Sequence, residues 1–195
     1  SKVEHPALLQ NTLVKMLRLI QLTGSMELLG EGIKSSKLNA LKELLPNILS
    51  DKKALIFTRF STMAEILRRE LASYAPLVIT GAIKNRAEVV RLFTHDPRHR
   101  VLIGTSAMNY GLNLPVAETV IHYDQEYSLG KMDQADGRAH RIGQKGNVVV
   151  INLLIKGSID MFIRTILRKK QEMSSVLMGG IFTSLSSIKE ALQYE

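Results

Sequence analysis

The sequence predicts an α/β fold: a doubly wound parallel sheet flanked by helices, with extra helices at the N-terminal and C-terminal ends. Two observations predict it. Short, nearly continuous apolar runs fall at residues 54–58, 77–80, 101–105, 119–123 and 148–154. Between them, apolar residues recur at spacings of three and four, as on one face of a helix. Strands covered on both faces read as unbroken apolar runs, and their alternation with helices marks a parallel sheet. Ligands of such sheets bind beyond the carboxyl ends of the strands, which directs attention to the loops after residues 58, 80, 105 and 123.

In chain order, residues 7–23 carry helical spacing that ends before Gly24, predicting an amphipathic helix. Residues 24–36 hold three glycines and three serines and read as a connector. Helical spacing resumes over 37–49, with Ser35 or Ser36 as N-cap. The strand at 54–58 is followed by a helix at 61–73, the strand at 77–80 by a helix at 84–94. The strand at 101–105 leads through a loop to the strand at 119–123, and a helix over about 129–140 precedes the last strand at 148–154. Residues 158–172 are helical again, as are 184–194 after a break at Gly179 and Gly180. No internal repeat or low-complexity tract interrupts this order.

At 195 residues, 45% hydrophobic and 23% charged, the chain suits one core with a small helical appendage. No apolar stretch approaches the roughly 20 residues that span a bilayer, and the N-terminus lacks a secretory pattern, so no membrane partner is expected. The first residue is Ser1 rather than Met, which suggests a piece of a longer protein. The absence of cysteine excludes disulfides and thiolate metal sites and fits a reducing interior. His95 and His99 are four apart, but Pro97 between them argues against one helical face, so no metal site is expected. Lys and Arg number 26 against 18 acidic residues, and the net charge of +8 points to a polyanion partner.

Residues 134–144, QADGRAHRIGQ, carry the most chemistry. On a helix, Gln134, Arg138 and Arg141 follow one another by four and three residues and share a face. Two arginines on one face at the end of a parallel sheet make a fork suited to phosphate oxygens. Gly137 leaves room for close approach of a backbone or ligand. The plainer alternative is that both arginines are solvated or pair with Asp133 and Asp136.

Taken whole, these eleven residues resemble motif VI of superfamily-two helicases, and the continuation His140-Arg141-Ile142-Gly143-Gln144 is similar to the Swi/Snf branch. Ser36-Lys37-Leu38 before a helix, then residues 53–60 (KALIFTRF), resemble the entry to that family's second lobe and its motif IV. Residues 101–114 (VLIGTSAMNYGLNL) resemble motif V, with Ala107, Gly111, Leu112 and Asn113 matching. Val120-Ile121-His122-Tyr123-Asp124 resembles the next strand, and Gly157-Ser158-Ile159-Asp160 the segment that opens the closing helix. The sequence departs from the pattern at Met108 and Asn109, where glycines are common, and at Tyr127-Ser128-Leu129, where an aromatic–Asn–Pro triplet is usual. The resemblance covers about residues 36–172.

The resemblance implies a RecA-like helicase C-terminal lobe over 36–157, with 1–35 as interlobe connector and helix and 158–195 as brace helices packing back across two lobes. It implies the second lobe of an ATP-dependent translocase of double-stranded DNA. Arg141 would then be the arginine finger, Arg138 its electrostatic partner, and Gln134 a neighbour on the same catalytic face. Gly111, Leu112, Asn113 and Gly137 would lie near the ATP. A complete motor needs a G-x-x-x-x-G-K loop followed by Ser or Thr, and an acidic Mg²⁺ motif. Neither is in this sequence. In the family both belong to the first, N-terminal RecA-like lobe, so ATP and Mg²⁺ are expected to be held mainly there, and these residues alone are expected to be inactive as an ATPase.

DNA-backbone contacts are expected at Thr58, Arg59, Thr80, Gly81, Lys84, Arg86, Thr105 and Ser106, where hydroxyls, backbone N–H groups and basic side chains suit phosphates rather than bases. For the Thr and Ser residues the alternative is helix capping after a strand. Met108, Met132, Met161, Met173 and Met178 read as core or interface filling. Arg164, Arg168, Lys169 and Lys170 suit either DNA contact or a solvated helix face. Two other readings stay open: another superfamily-two DNA or RNA helicase lobe, and a non-enzymatic nucleic-acid-binding module. The expected location is intracellular: the cytoplasm of a prokaryote or virus-infected cell, or a nucleus.

Overall fold

Each apolar run becomes a strand of one sheet. The computed structural model describes residues 6–29, 35–50, 52–105, 108, 114, 116–126 and 148–173. Within them β1 is Lys53–Phe57, β2 Leu77–Ile79, β3 Val101–Gly104, β4 Ala117–His122 and β5 Val149–Asn152. The strands order β2-β3-β1-β4-β5, and every pairing is parallel. The helices before β5 are, among the described residues, α1 Pro6–Gly24, α2 Ser36–Ile48, α3 Ser61–Glu70 and α4 Arg86–His95. Residues 159–173 form a further helix, α5. The helices expected over 129–140 and 184–194 lie outside the described residues.

The two-residue period of the strands divides the core between the two faces of the sheet. On one face Ala54, Ile56, Val101, Ile103, Ile121 and Tyr123 pack against Leu38, Leu41 and Leu45 of α2 and Met63 and Leu67 of α3. On the other, Leu55, Phe57, Leu102 and Val120 pack with Ile79, Met108 and Phe93 of α4. A third small cluster joins Ile20 of α1 to Ile163 and Leu167 of α5. Beyond this cluster the two helices expose apolar side chains at Leu13, Val14, Leu17, Met161, Phe162 and Met173. Met108 fills core, Met161 and Met173 face outward, and Met132 and Met178 lie outside the described residues. Among the described residues no helix is long and apolar enough to cross a membrane.

Local chemistry sets the ends of the elements. Ser35 is the N-cap of α2, its side chain accepting from Leu38 N. The helix expected over 61–73 stops at Glu70, and a separate 3-10 turn spans Ala72–Tyr74. Ala75 follows in the left-handed region, at φ 45°, immediately before Pro76, whose ring disfavours helical backbone in the preceding residue. The connector over 24–36 contains a 3-10 turn at Met26–Leu29, closed by Leu28 N donating to Ser25 O. Gly104 is required for packing: a Cβ there would lie 2.5 Å from Met108 Cγ and 2.6 Å from Ile79 O. Met108, a departure from the family pattern, sits over the bare face of that glycine.

Candidate functional site

The carboxyl ends of the strands are held level. Ile79, Gly104, Phe57, His122 and Asn152 are register partners across the sheet. The residues one step further along therefore form a row: Thr80, Thr105, Thr58 and Tyr123. The chain leaves β1 towards β2 on one side of the sheet, and leaves β4 towards β5 on the other. Between β1 and β4, then, lies a topological switch point, where open parallel sheets bind their ligands.

Thr58, Arg59, Tyr123 and Asp124 meet at that point. Thr58 Oγ1 donates to Asp124 Oδ2, and Arg59 N donates to the same oxygen at 3.2 Å. The guanidinium of Arg59 reaches Gln125 O at 3.4 Å and Glu126 Oε1 at 3.7 Å. Asp124 is buried, and burial raises its carboxyl pKa, opposed by Lys37 and by the bonds from Thr58 and Arg59. Among the described residues, Asp124 Oδ1 and Gln125 Oε1 have no hydrogen-bond partner.

Behind this edge runs a buried polar chain. Lys37 Nζ ion-pairs with Asp160 Oδ2 and donates to Tyr123 O at 3.1 Å. Asp160 Oδ2 also accepts from Ile155 N at 3.0 Å, and Thr23 Oγ1 lies 3.2 Å from Asp160 Oδ1. Tyr123 Oη donates to Gly24 O at 2.8 Å and lies 3.0 Å from Ser35 Oγ. Burial also raises the Tyr123 pKa, so its hydroxyl stays protonated and available to donate. The chain thereby ties the end of α1, the start of α2 and the start of α5 to the exit of β4.

The other expected DNA contacts are placed as follows. Thr80 and Thr105 are buried at their strand exits, Thr105 N donating to Ile79 O at 3.2 Å. Gly81 and Lys84 are exposed, and Arg86 Nε donates to Ile83 O at 3.3 Å. Neither α3 nor α4 is capped by a threonine: α3 has no side-chain cap, and Asn85 caps α4. On α5, Arg164, Arg168, Lys169 and Lys170 are all exposed, and Arg168 pairs with Glu172. Ser106, Gly111, Leu112, Asn113, Gln134, Gly137, Arg138 and Arg141 lie outside the described residues.

Lys37, Asp124 and Asp160 match the family pattern in the sequence, but no local feature there gives them a role. The available signal was a charged residue set directly against apolar segments: Lys37 before Leu38, and Asp124 after a five-residue apolar run.

Comparison with known proteins defines the class. The model of the helicase conserved C-terminal domain matches residues 36–143. The chain is 33% identical over 153 residues to the chromatin-remodeling ATPase INO80 of Saccharomyces cerevisiae, covering 75% of this chain and 10% of that protein. It is 34% identical over 154 residues to the ATP-dependent helicase FUN30 of the same yeast, covering 75% of this chain and 14% of that protein. The chain therefore spans about a tenth of the length of the curated relatives it matches. The Sulfolobus solfataricus SWI2/SNF2 ATPase core in complex with dsDNA superposes with a TM-score of 0.74 at 27% identity, covering 88% of this chain and 38% of that chain. The sheet is a RecA-like lobe. The chain belongs to the helicase conserved C-terminal domain family, and within it to the Swi/Snf-type ATPases.

Proposed function

We propose that this chain is the second lobe of an ATP-dependent translocase of double-stranded DNA, contacting the DNA backbone and supplying an arginine finger to nucleotide on a first lobe. The observation that carries the reading is the level row of Thr80, Thr105 and Thr58 at the carboxyl edge, with Arg59 beside the β1–β4 switch point. The Arg59 guanidinium at this edge, with the exposed Gly81 and Lys84 after β2, makes a base-indifferent set that suits phosphates. The likeness to a SWI2/SNF2 core whose structure includes dsDNA supports the same partner.

Among the described residues no three His, Asp or Glu side chains gather as a metal-ligand set. ATP and Mg²⁺ are assigned mainly to the first lobe because the phosphate-cradling loop and the acidic Mg²⁺ motif of a complete motor are not in this sequence; there the metal would neutralise charge on the phosphates. This chain contributes Arg141 as the finger, Arg138 as its electrostatic partner and Gln134 on the same face, with Gly137 and the Gly111–Asn113 turn near the nucleotide. Closure of the lobes brings these groups together, and reopening shifts this lobe along the DNA backbone. By itself the chain is expected to be inactive as an ATPase.

The test is Arg141→Ala in the full-length protein. Removal of an arginine finger typically lowers turnover by about 10³–10⁵-fold, so DNA-stimulated ATPase should vanish while DNA affinity stays near wild type. Unchanged turnover sinks the proposed mechanism. Strand displacement on a tailed duplex, with RNA as effective as DNA, would instead favour a strand-separating helicase.

A further inference from the structure

Asp124 lies between the end of α1 and the strand exit of β1 that is proposed to touch DNA. Its Oδ2 accepts from both Thr58 Oγ1 and Arg59 N, fixing the first two residues after β1. Its Oδ1 faces the opposite way: a Cβ added to Gly24, the last residue of α1, would lie 3.1 Å from it. The neighbouring Tyr123 is bonded through its hydroxyl to Gly24 O, and through its carbonyl to Lys37 Nζ. One carboxylate thus has an oxygen on each of two parts of the chain. One part is the loop that carries Arg59, and the other is the helix leading in from the lobe's N-terminal side.

We propose that Asp124 is a positioning residue that sets the Arg59 loop for the DNA backbone and couples that loop to the position of α1. The inference rests on the proposed function and deepens it. Asp124 need not touch DNA. It accepts from the backbone N–H that begins Arg59, so the loop keeps its shape only while Oδ2 stays in place. Any shift of α1 towards Oδ1 moves the same carboxylate and, through it, the loop. A glycine at position 24 is what lets the helix end come this close.

The test uses the full-length protein, ATP and a linear random-sequence duplex, with ATPase rate measured against DNA concentration. Asp124→Ala removes the acceptor, and the half-saturating DNA concentration should rise about tenfold, as expected for loss of roughly 1.4 kcal/mol of binding. The rate at saturating DNA should fall far less. Asp124→Asn keeps an oxygen facing Thr58 and Arg59 and should restore DNA half-saturation to within about twofold of wild type. Gly24→Ala, which suits a helix end and should fold normally, presses a methyl group on Oδ1 and should raise half-saturation by roughly threefold.

A folded Asp124→Ala protein with wild-type half-saturation overturns the positioning role, as does an Asn variant as impaired as the Ala variant. Should Asp124→Ala not fold, Gly24→Ala decides: an unmoved half-saturation there overturns the coupling. A wild-type protein whose ATPase ignores DNA would instead sink the motor reading itself, an outcome separate from these.

Discussion

Lys37 Nζ lies 2.8 Å from Asp160 Oδ2, and both side chains are sealed from solvent, at 2% and 0% exposure. Lys37 stands in the first turn of α2, where the helix dipole disfavours a cation, and Asp160 in the first turn of α5, where it favours an anion. The ion pair is therefore what makes a lysine tenable at that position. Removing one partner strands a buried charge. Lys37→Met should lower unfolding stability by about 3–5 kcal/mol, measured by urea denaturation. Asp160→Asn in the Lys37→Met background should recover part of that loss, because the stranded charge is gone. A Lys37→Met effect under 1 kcal/mol would show the pair to be incidental.

Gly104→Ala tests whether the exit of β3 is as tight as its geometry. The new methyl would meet both a flexible side chain, Met108, and a fixed carbonyl, Ile79 O. Overpacking of this kind costs about 1–3 kcal/mol. Shortening the neighbour in a Gly104→Ala, Met108→Ala double variant should relieve only the side-chain share, so rescue should be incomplete. Complete rescue would mean that the backbone contact is harmless.

At the amino end of the central strand β1, Lys53 closes the end of α4. Its Nζ donates to Phe93 O and, at 2.9 Å, to Asp96 O, and it sits 5.2 Å from the centre of the Phe93 ring. A cation on the last carbonyls of a helix satisfies groups that have no partner within it. Lys53→Met keeps most of the stem but should cost about 1–2 kcal/mol. Hydrogen exchange should quicken selectively in the last turn of α4. An unaltered exchange pattern would argue that the carbonyls are equally well served by water.

The buried carboxyl of Asp124 predicts a pH dependence with a definite sign. Burial raises its pKa in the folded chain, so between the ordinary aspartate value of about 3.9 and the raised value the folded state holds more protons than the unfolded. The contribution of this group to stability is thus full below about pH 4 and is lost as pH rises through the folded-state pKa. Asp124→Asn is neutral throughout and removes that slope. Its stability relative to wild type should increase from about pH 4 to pH 7, read as the difference in Tm. A constant or shrinking difference would contradict a carboxyl that resists ionisation.

Much of this was legible from contiguous residues. The runs at 54–58, 101–105 and 119–123 announced strands because a strand buried on both faces needs an apolar residue at almost every position, and that pattern is local. The Ser35 cap was legible for the same reason: the hydroxyl bonds an N–H three residues on. The boundary at Glu70 is not legible because helical spacing continues past it, whereas the chain turns at Leu71 into a separate 3-10 turn over Ala72–Tyr74. Thr58 was singled out correctly as a strand-exit residue, yet its hydroxyl is given to Asp124, a residue 66 positions away.

The sequence by itself determined which of the described segments are strands and helices and how they alternate, since each of these depends on near neighbours. Tertiary structure alone decided that Thr80, Thr105 and Thr58 stand level, that β1 and β4 flank the switch point, and that Lys37, Tyr123, Asp124 and Asp160 share one interior. Those facts follow from strand order and register, which are long-range. A charge becomes costly, and therefore informative, only once folding has taken it out of water and chosen its partner.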